Sequence, residues 1–164
     1  MSEVRRLAEL LHQAYEGEAG TDDAWHGPSL RKLVTGLTAA DATRLLPGGG
    51  HTIWELVLHI AVWDEICVRR IADEAVATTT GSPEDWPAVE GTTDHDWAAT
   101  VERLRKAQAA LVRAVAALSD AALEERVPGR TDSKYLVIHG TLHHDLYHAG
   151  QIGQLRRALS SARG

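Results

Sequence analysis

Residues 142–152 read Leu-His-His-Asp-Leu-Tyr-His-Ala-Gly-Gln-Ile, and this stretch indicates a helix that carries a pair of histidines. The pair, His144 and His148, is separated by four residues. Residues at i and i+4 of a helix lie on one face, with Cβ atoms roughly 5–6 Å apart. Two imidazoles held in this way can bind one metal ion. A coincidental pair on a solvated face is the alternative, because a helical HxxxH without context is a weak motif.

The residues around the pair favour an inward-facing position. A stripe at steps of three and four is formed by Val137, Thr141, His144, His148, Gln151 and Leu155. Buried polar groups need partners, and a metal ion can satisfy two imidazoles at once. On a wheel of about 100° per residue, His139 lies about 180° from His148, and His143 lies about 100° from His144. We therefore exclude His139 from the site and expect His143 on the surface or in a supporting position.

A third candidate ligand, His59, lies in the largely apolar segment 54–64. A lone histidine in such a helix is more often a hydrogen-bonded core residue. In helical bundles, however, ligands from facing helices converge in the core, so the pair on another helix favours His59 as its partner. The remaining histidines lack partner spacing and are expected on the surface or in loops; they are His12, His26, His51 and His95.

Several neighbours of these histidines can be interpreted either as part of the site or as ordinary structural residues. Glu55 and Asp145 are placed to accept a ligand's second N–H, although solvation is the simpler expectation. Trp63, one turn after His59, suits either a cavity wall or the core. Cys67 is a conceivable thiolate ligand, but an inert buried cysteine is more common.

Helical periodicity dominates the sequence, and alternating strand patterns are missing. The four long helices that we predict run from about Glu3 to Tyr15, Thr52 to Ala75, Asp94 to Leu118 and Lys134 to Leu159. Thr52 and Glu55 form a capping-box pattern at the second of these. A shorter helical piece should contain Pro28 in its first turn, and residues 47–50 are a strong chain break. Gln108 interrupts the third apolar stripe, which we interpret as an imperfect face rather than a polar cavity. The pattern predicts an all-α four-helix bundle in a single domain, residues 1–164.

Composition limits the classes of function. The chain has 164 residues and a net charge of −6, which argues against a nucleic-acid-binding surface. Cys67 is the only cysteine, so an intrachain disulfide is impossible. The first residues lack the apolar core of a signal peptide, and no apolar run approaches the ~20 residues that span a bilayer. We expect a cytoplasmic protein that binds neither nucleic acid nor membranes.

At three segments the sequence resembles the DinB/YfiT-like family of metal-dependent helical-bundle proteins. The segments are residues 25–30, 51–60 and 144–152, and the resemblance runs from about Leu7 to Leu159. It implies a four-helix bundle with a long crossover connection, and commonly a homodimer. It also implies that three histidines bind a divalent metal; by position these are His59, His144 and His148. Related proteins resemble transferases and isomerases that use low-molecular-weight thiols such as mycothiol or bacillithiol.

Two functions are compatible with this site. In a metal-dependent enzyme, three histidines leave open coordination positions, and the ion activates a bound thiol or water for transfer or hydrolysis. In a non-enzymatic stress-response bundle that binds metal or a small ligand, the ion mainly ties two helices together. We favour the enzyme, acting on a small molecule such as a low-molecular-weight thiol, although the sequence indicates no separate catalytic base. All-nitrogen ligation suits Zn, Ni, Cu, Fe or Co, and of these we expect Zn or Ni.

Overall fold

Four long helices form the body of the fold, which a computed structural model describes over residues 1–46 and 48–161. They are α1 (Glu3–Glu16), α4 (Ile53–Ile71), α5 (Asp94–Ala116) and α6 (Lys134–Ser161). Between the first two lie strands β1 (Asp23–Ala24) and β2 (Gly27–Pro28) and the short helices α2 (Leu30–Val34) and α3 (Ala39–Ala42). A 3₁₀ helix, Ala121–Glu124, precedes α6. The predicted all-α class is confirmed.

The order in which the long helices pack explains the long connection. α1 and α4 each pack against both α5 and α6. The consecutive long helices α1 and α4 therefore lie diagonally across the bundle, and the connection between them, described over residues 17–46 and 48–52, crosses from one to the other. This is the predicted crossover connection.

The start of α4 follows from its capping box. The Thr52 hydroxyl accepts a hydrogen bond from the Glu55 backbone N–H, and the Glu55 carboxylate accepts one from the Thr52 N–H at 2.7 Å. This satisfies two of the amides that a helix start leaves unpaired. The helix ends at Ile71 rather than at Ala75, because Asp73 adopts a positive φ of 64° that a right-handed helix cannot continue.

The first connection differs from the prediction. β1 and β2 form a small antiparallel pair, with Ala24 opposite Gly27, although strand patterns are missing from the sequence. Pro28 belongs to β2 and not to a helix, and Ser29 caps α2 by accepting from the Lys32 N–H. Two predictions concern residues that lie outside the described part of the chain. They are Pro47, in the predicted chain break, and residues 162–164 of the predicted domain.

Two apolar clusters fill the core, one towards each end of the bundle. The first surrounds Trp54, whose indole N–H donates to the Thr100 hydroxyl at 2.9 Å. The second is built around Leu11, Leu111 and Ile138. Among the helices of the described residues, none combines the length and apolar character that a membrane span requires.

A polar layer lies between the two clusters. It consists of Asp64 in α4, Gln108 in α5 and Asp145 in α6. Gln108 is buried, and its side-chain amide donates to Asp64 at 2.6 Å and to Asp145 at 2.9 Å. The interpretation of Gln108 as an imperfection of an apolar face was therefore wrong. Its amide cross-links α4, α5 and α6.

Candidate metal centre

Two facing helices bring the three predicted histidines together. α4 carries His59, and α6 carries His144 and His148. One ligand atom from each ring lies within 4.8 Å of the others. The Nε2 atoms of His59 and His144 are 2.8 Å apart, and the ring centroids of His144 and His148 are 4.5 Å apart. The i, i+4 spacing on α6 thus places both rings on the side that faces α4.

In all three imidazoles, Nδ1 meets an oxygen acceptor. The pairs are His59 with the Asp85 carbonyl at 2.5 Å, His148 with the Gln151 side-chain oxygen at 2.6 Å, and His144 with the Asp145 carboxylate at 3.3 Å. An oxygen acceptor assigns the ring proton to Nδ1. Each Nε2 is then left with a free lone pair, which is the form in which histidine binds a metal.

This arrangement fits a divalent metal ion. The two Nε2 lone pairs of His59 and His144 would repel each other at 2.8 Å, and a shared cation removes that repulsion. Three neutral nitrogen ligands suit Zn²⁺ or Ni²⁺, and three protein ligands are the number typical of a catalytic site with an open position. The three histidines can therefore hold a metal ion.

Burial keeps two of the rings, His59 and His148, neutral. It lowers the pKa of His59 to about 4, and it also lowers the pKa of His148. Both rings are therefore uncharged at neutral pH, since removal from water disfavours the imidazolium form. A metal ion would not have to displace a proton from either of them.

The segment before α5 supplies support that the sequence analysis missed. Asp85 is buried, and its carboxylate accepts from the Trp63 indole N–H at 2.8 Å and from the Gly81 N–H at 2.7 Å. Burial raises the pKa of Asp85, but these hydrogen bonds outweigh it and leave the pKa below its usual value. The carboxylate thereby fixes the loop whose carbonyl holds His59. The loop has no periodicity, so the sequence carried no signal for this role.

Trp86, the next residue of that loop, covers the site. Its indole stacks on His59 with the rings 3.8 Å apart and 6° from parallel, and on His51 at 3.5 Å. His51 is exposed, as expected of a loop residue, but it belongs to the surroundings of the site. His139 and His143 contact each other on α6 and remain outside the three-histidine cluster.

The polar layer supports His144. Asp145 is buried, so the expectation that it is solvated was wrong. Its carboxylate joins Gln108 to the Nδ1 atom of His144. Burial, followed by the neighbouring Asp145 charge, raises the pKa of Asp64 well above its usual value. Glu55, by contrast, is occupied by the helix cap and does not reach the ligands.

A cavity of about 530 Å³ opens beside the three histidines. Its walls include Trp63, Trp86 and Tyr147, so Trp63 is a wall residue. Cys67 does not line it; this thiol is buried, and burial raises its pKa to about 12. The thiol is therefore protonated, and the structure favours the inert alternative for Cys67.

The fold and the site together define a class: a helical bundle with a three-histidine cluster, able to bind a metal, at the base of a cavity. Comparison with known families agrees with this class. The sequence profile of the DinB superfamily matches residues 23–152, and the chain belongs to that superfamily. A comparison with curated proteins found no match.

Proposed function

We propose that the protein is a metal-dependent enzyme in which His59, His144 and His148 hold one divalent ion, Zn or Ni. One observation carries the proposal: three imidazoles converge at a cavity while every Nδ1 is held by an oxygen. Such support fixes the tautomer and orientation of each ring before an ion arrives.

When bound, the ion would lower the pKa of a coordinated thiol or water and supply a nucleophile near neutral pH. This chemistry suits a thiol-dependent transferase or a hydrolase acting on a small molecule. The chain's own residues orient the rings and limit water. Trp63 and Trp86 form apolar walls beside the ligands, and a cavity of about 530 Å³ accommodates a small substrate.

The alternative is a non-enzymatic bundle whose ion joins helices. The ligands do come from two helices, α4 and α6, which supports a structural contribution. A purely structural site, however, is usually closed by a fourth protein ligand. Among the described residues, the cluster consists of three histidines and borders a cavity. This favours the enzyme.

Metal content tests the proposal directly. The protein is purified without an affinity tag as wild type, as His148→Ala and as His143→Ala, which removes a neighbouring histidine outside the cluster. We expect about one equivalent of Zn or Ni per chain in wild type and in His143→Ala, and loss in His148→Ala. Wild-type protein without metal that takes up neither ion when supplied would contradict the proposal. Thiol-transfer and hydrolysis assays on the loaded proteins then separate the enzyme from the binding protein.

A further inference from the structure

An arginine lies in the wall of the same cavity, at the end opposite the start of α4. Arg70 follows His59 by eleven residues and Trp63 by seven, so all three fall on one face of α4. All three line the cavity. The Trp63 ring lies between the other two, with its centre 5.5 Å from the Arg70 guanidinium carbon and 6.3 Å from the centre of the His59 ring.

The guanidinium of Arg70 is buried and poorly satisfied. The residue is 5% exposed, and its Nε–H is buried without a hydrogen-bond partner. Its Nη2 group donates to the Thr78 carbonyl. Arginine stays charged in proteins, and a buried charge without a counterion is strongly unfavourable. A bound anion would satisfy this charge and the free Nε–H.

The carboxylates described around Arg70 do not pair with it. Among the described residues, no carboxylate lies within salt-bridge distance of its guanidinium. Two carboxylates line the cavity, but both are engaged: Asp132 pairs with Arg130, and Asp85 accepts from Trp63 and Gly81. Burial and the nearby Arg130 charge lower the pKa of Arg70, which is the direction expected of a cation without a partner.

We infer that Arg70 binds the carboxylate of the small-molecule substrate while the reactive part of that substrate lies at the three histidines. The inference rests on the proposed function for the reactive end. The planar fork of a guanidinium matches a carboxylate with two parallel hydrogen bonds. At its end of the cavity, the single positive charge of Arg70 matches the single negative charge of a carboxylate.

The test compares ligands that differ in charge at one end. Hexanoate, hexanamide and hexyl phosphate share an alkyl chain short enough for the cavity. Their affinities are measured by calorimetry for wild type, Arg70→Met and Arg70→Lys. Arg69→Met is the matched control, since Arg69 is the exposed neighbour and pairs with Glu74. Metal content is measured on every sample.

We expect wild type and Arg69→Met to bind hexanoate at least about tenfold more tightly than hexanamide. The preference should disappear in Arg70→Met and weaken in Arg70→Lys, which keeps the charge but not the fork. If Arg70→Met does not fold by circular dichroism, Arg70→Lys decides: a weakened preference supports the inference, and an unchanged one overturns it.

Three results overturn the inference. They are equal binding of hexanoate and hexanamide to wild type, a hexanoate preference that survives in folded Arg70→Met, and binding of hexyl phosphate more than tenfold tighter than hexanoate. The hexanoate preference would survive in Arg70→Met if the metal ion, and not Arg70, held the carboxylate. Failure of the proposed function appears separately, as absence of metal, and leaves the comparison of Arg70 variants valid.

Discussion

At the scale of single residues, the candidate site depends on which atom holds each Nδ1. The Gln151 side-chain oxygen, one turn beyond His148 on α6, holds the Nδ1 atom of that ring. Replacing it in Gln151→Leu removes the acceptor, so the ring is free to rotate or to change tautomer. Loss of such a partner typically lowers metal affinity by about 10–100-fold. We expect a loss of this size for Zn²⁺, measured by competition with a chelator of known affinity.

The matched control for that prediction is Gln154→Leu. Gln154 is exposed on the same helix and lies outside the three-histidine cluster and the lining of the cavity. Its replacement should leave Zn²⁺ affinity unchanged. Equal affinities for Gln151→Leu and wild type would show that the hydrogen bond to His148 does not orient the ring.

The buried Asp64 gives a pH-dependent prediction. In the unfolded chain its pKa is about 3.9, whereas burial and Asp145 raise the pKa in the folded protein. Between these two values the folded state binds more protons, so the free energy of unfolding falls as pH rises. Asp64→Asn cannot titrate and keeps an oxygen to accept from Gln108. We expect the variant to gain stability relative to wild type as pH rises, because wild type must either keep the proton on Asp64 or bury its charge.

Urea unfolding of wild type and Asp64→Asn at pH 5 and pH 8 measures this difference. Glu90→Gln is the control, because it removes a carboxylate from the surface. It should show little change with pH relative to wild type. A stability difference between Asp64→Asn and wild type that stays constant across this range would refute a raised pKa for Asp64.

Residue spacing predicted part of the site, and the missing part has a physical reason. His144 and His148 follow from a period within one helix. His59 could be predicted as a ligand only with the help of the histidine pair on the partner helix and the family resemblance, since its own surroundings fit a core histidine equally well. The burial of Asp145 depends on Gln108 in α5, a contact between helices that no local pattern encodes.

At the scale of elements, capped helices were predictable and the irregular loop was not. The capping box at Thr52 placed the start of α4 correctly, because both partners lie within three residues. The end of α4 was predicted four residues too late, since the stop is a backbone conformation at Asp73 and not a proline or glycine. The loop that contains Asp85 and Trp86 is fixed by contacts with α4, so its order follows from tertiary structure.

The Asp85 carboxylate should therefore be what orders this loop. Asp85→Ala removes the acceptors of the Gly81 N–H and the Trp63 indole N–H. Each buried donor left unpaired costs about 1–3 kcal/mol. We expect faster hydrogen exchange at Gly81 and weaker Zn²⁺ binding, because the carbonyl that holds His59 belongs to the same residue.

Glu84→Ala is the control for the loop. Glu84 is the exposed neighbour of Asp85, so the substitution removes the same kind of charge without removing the acceptor. Its Gly81 exchange rate and Zn²⁺ affinity should match those of wild type. An Asp85→Ala protein with wild-type exchange at Gly81 would show that other contacts hold the loop.

At the scale of the whole molecule, the two apolar clusters should hold the bundle together without an ion. They contain the fully buried Trp54, Leu11 and Leu111, and none of the three histidines belongs to either cluster. Chelation should therefore leave a folded helical protein that melts at a lower temperature. Free Zn²⁺ at one hundred times its Kd stabilises a folded state by about 2.7 kcal/mol. For a chain of this size that corresponds to a rise in Tm of about 5–11 °C.

Thermal unfolding of wild type and His148→Ala, each chelated and then supplied with Zn²⁺, tests this expectation. Wild type should regain the higher Tm on addition of the ion, and the chelated protein should keep its helical circular dichroism at 25 °C. His148→Ala should show little shift, because one of the three nitrogen ligands is absent. A wild-type chain that loses its helical signal on chelation would make the ion an obligatory part of the fold. That result would favour the structural role of the metal over the catalytic one, since folding itself would then depend on joining α4 to α6.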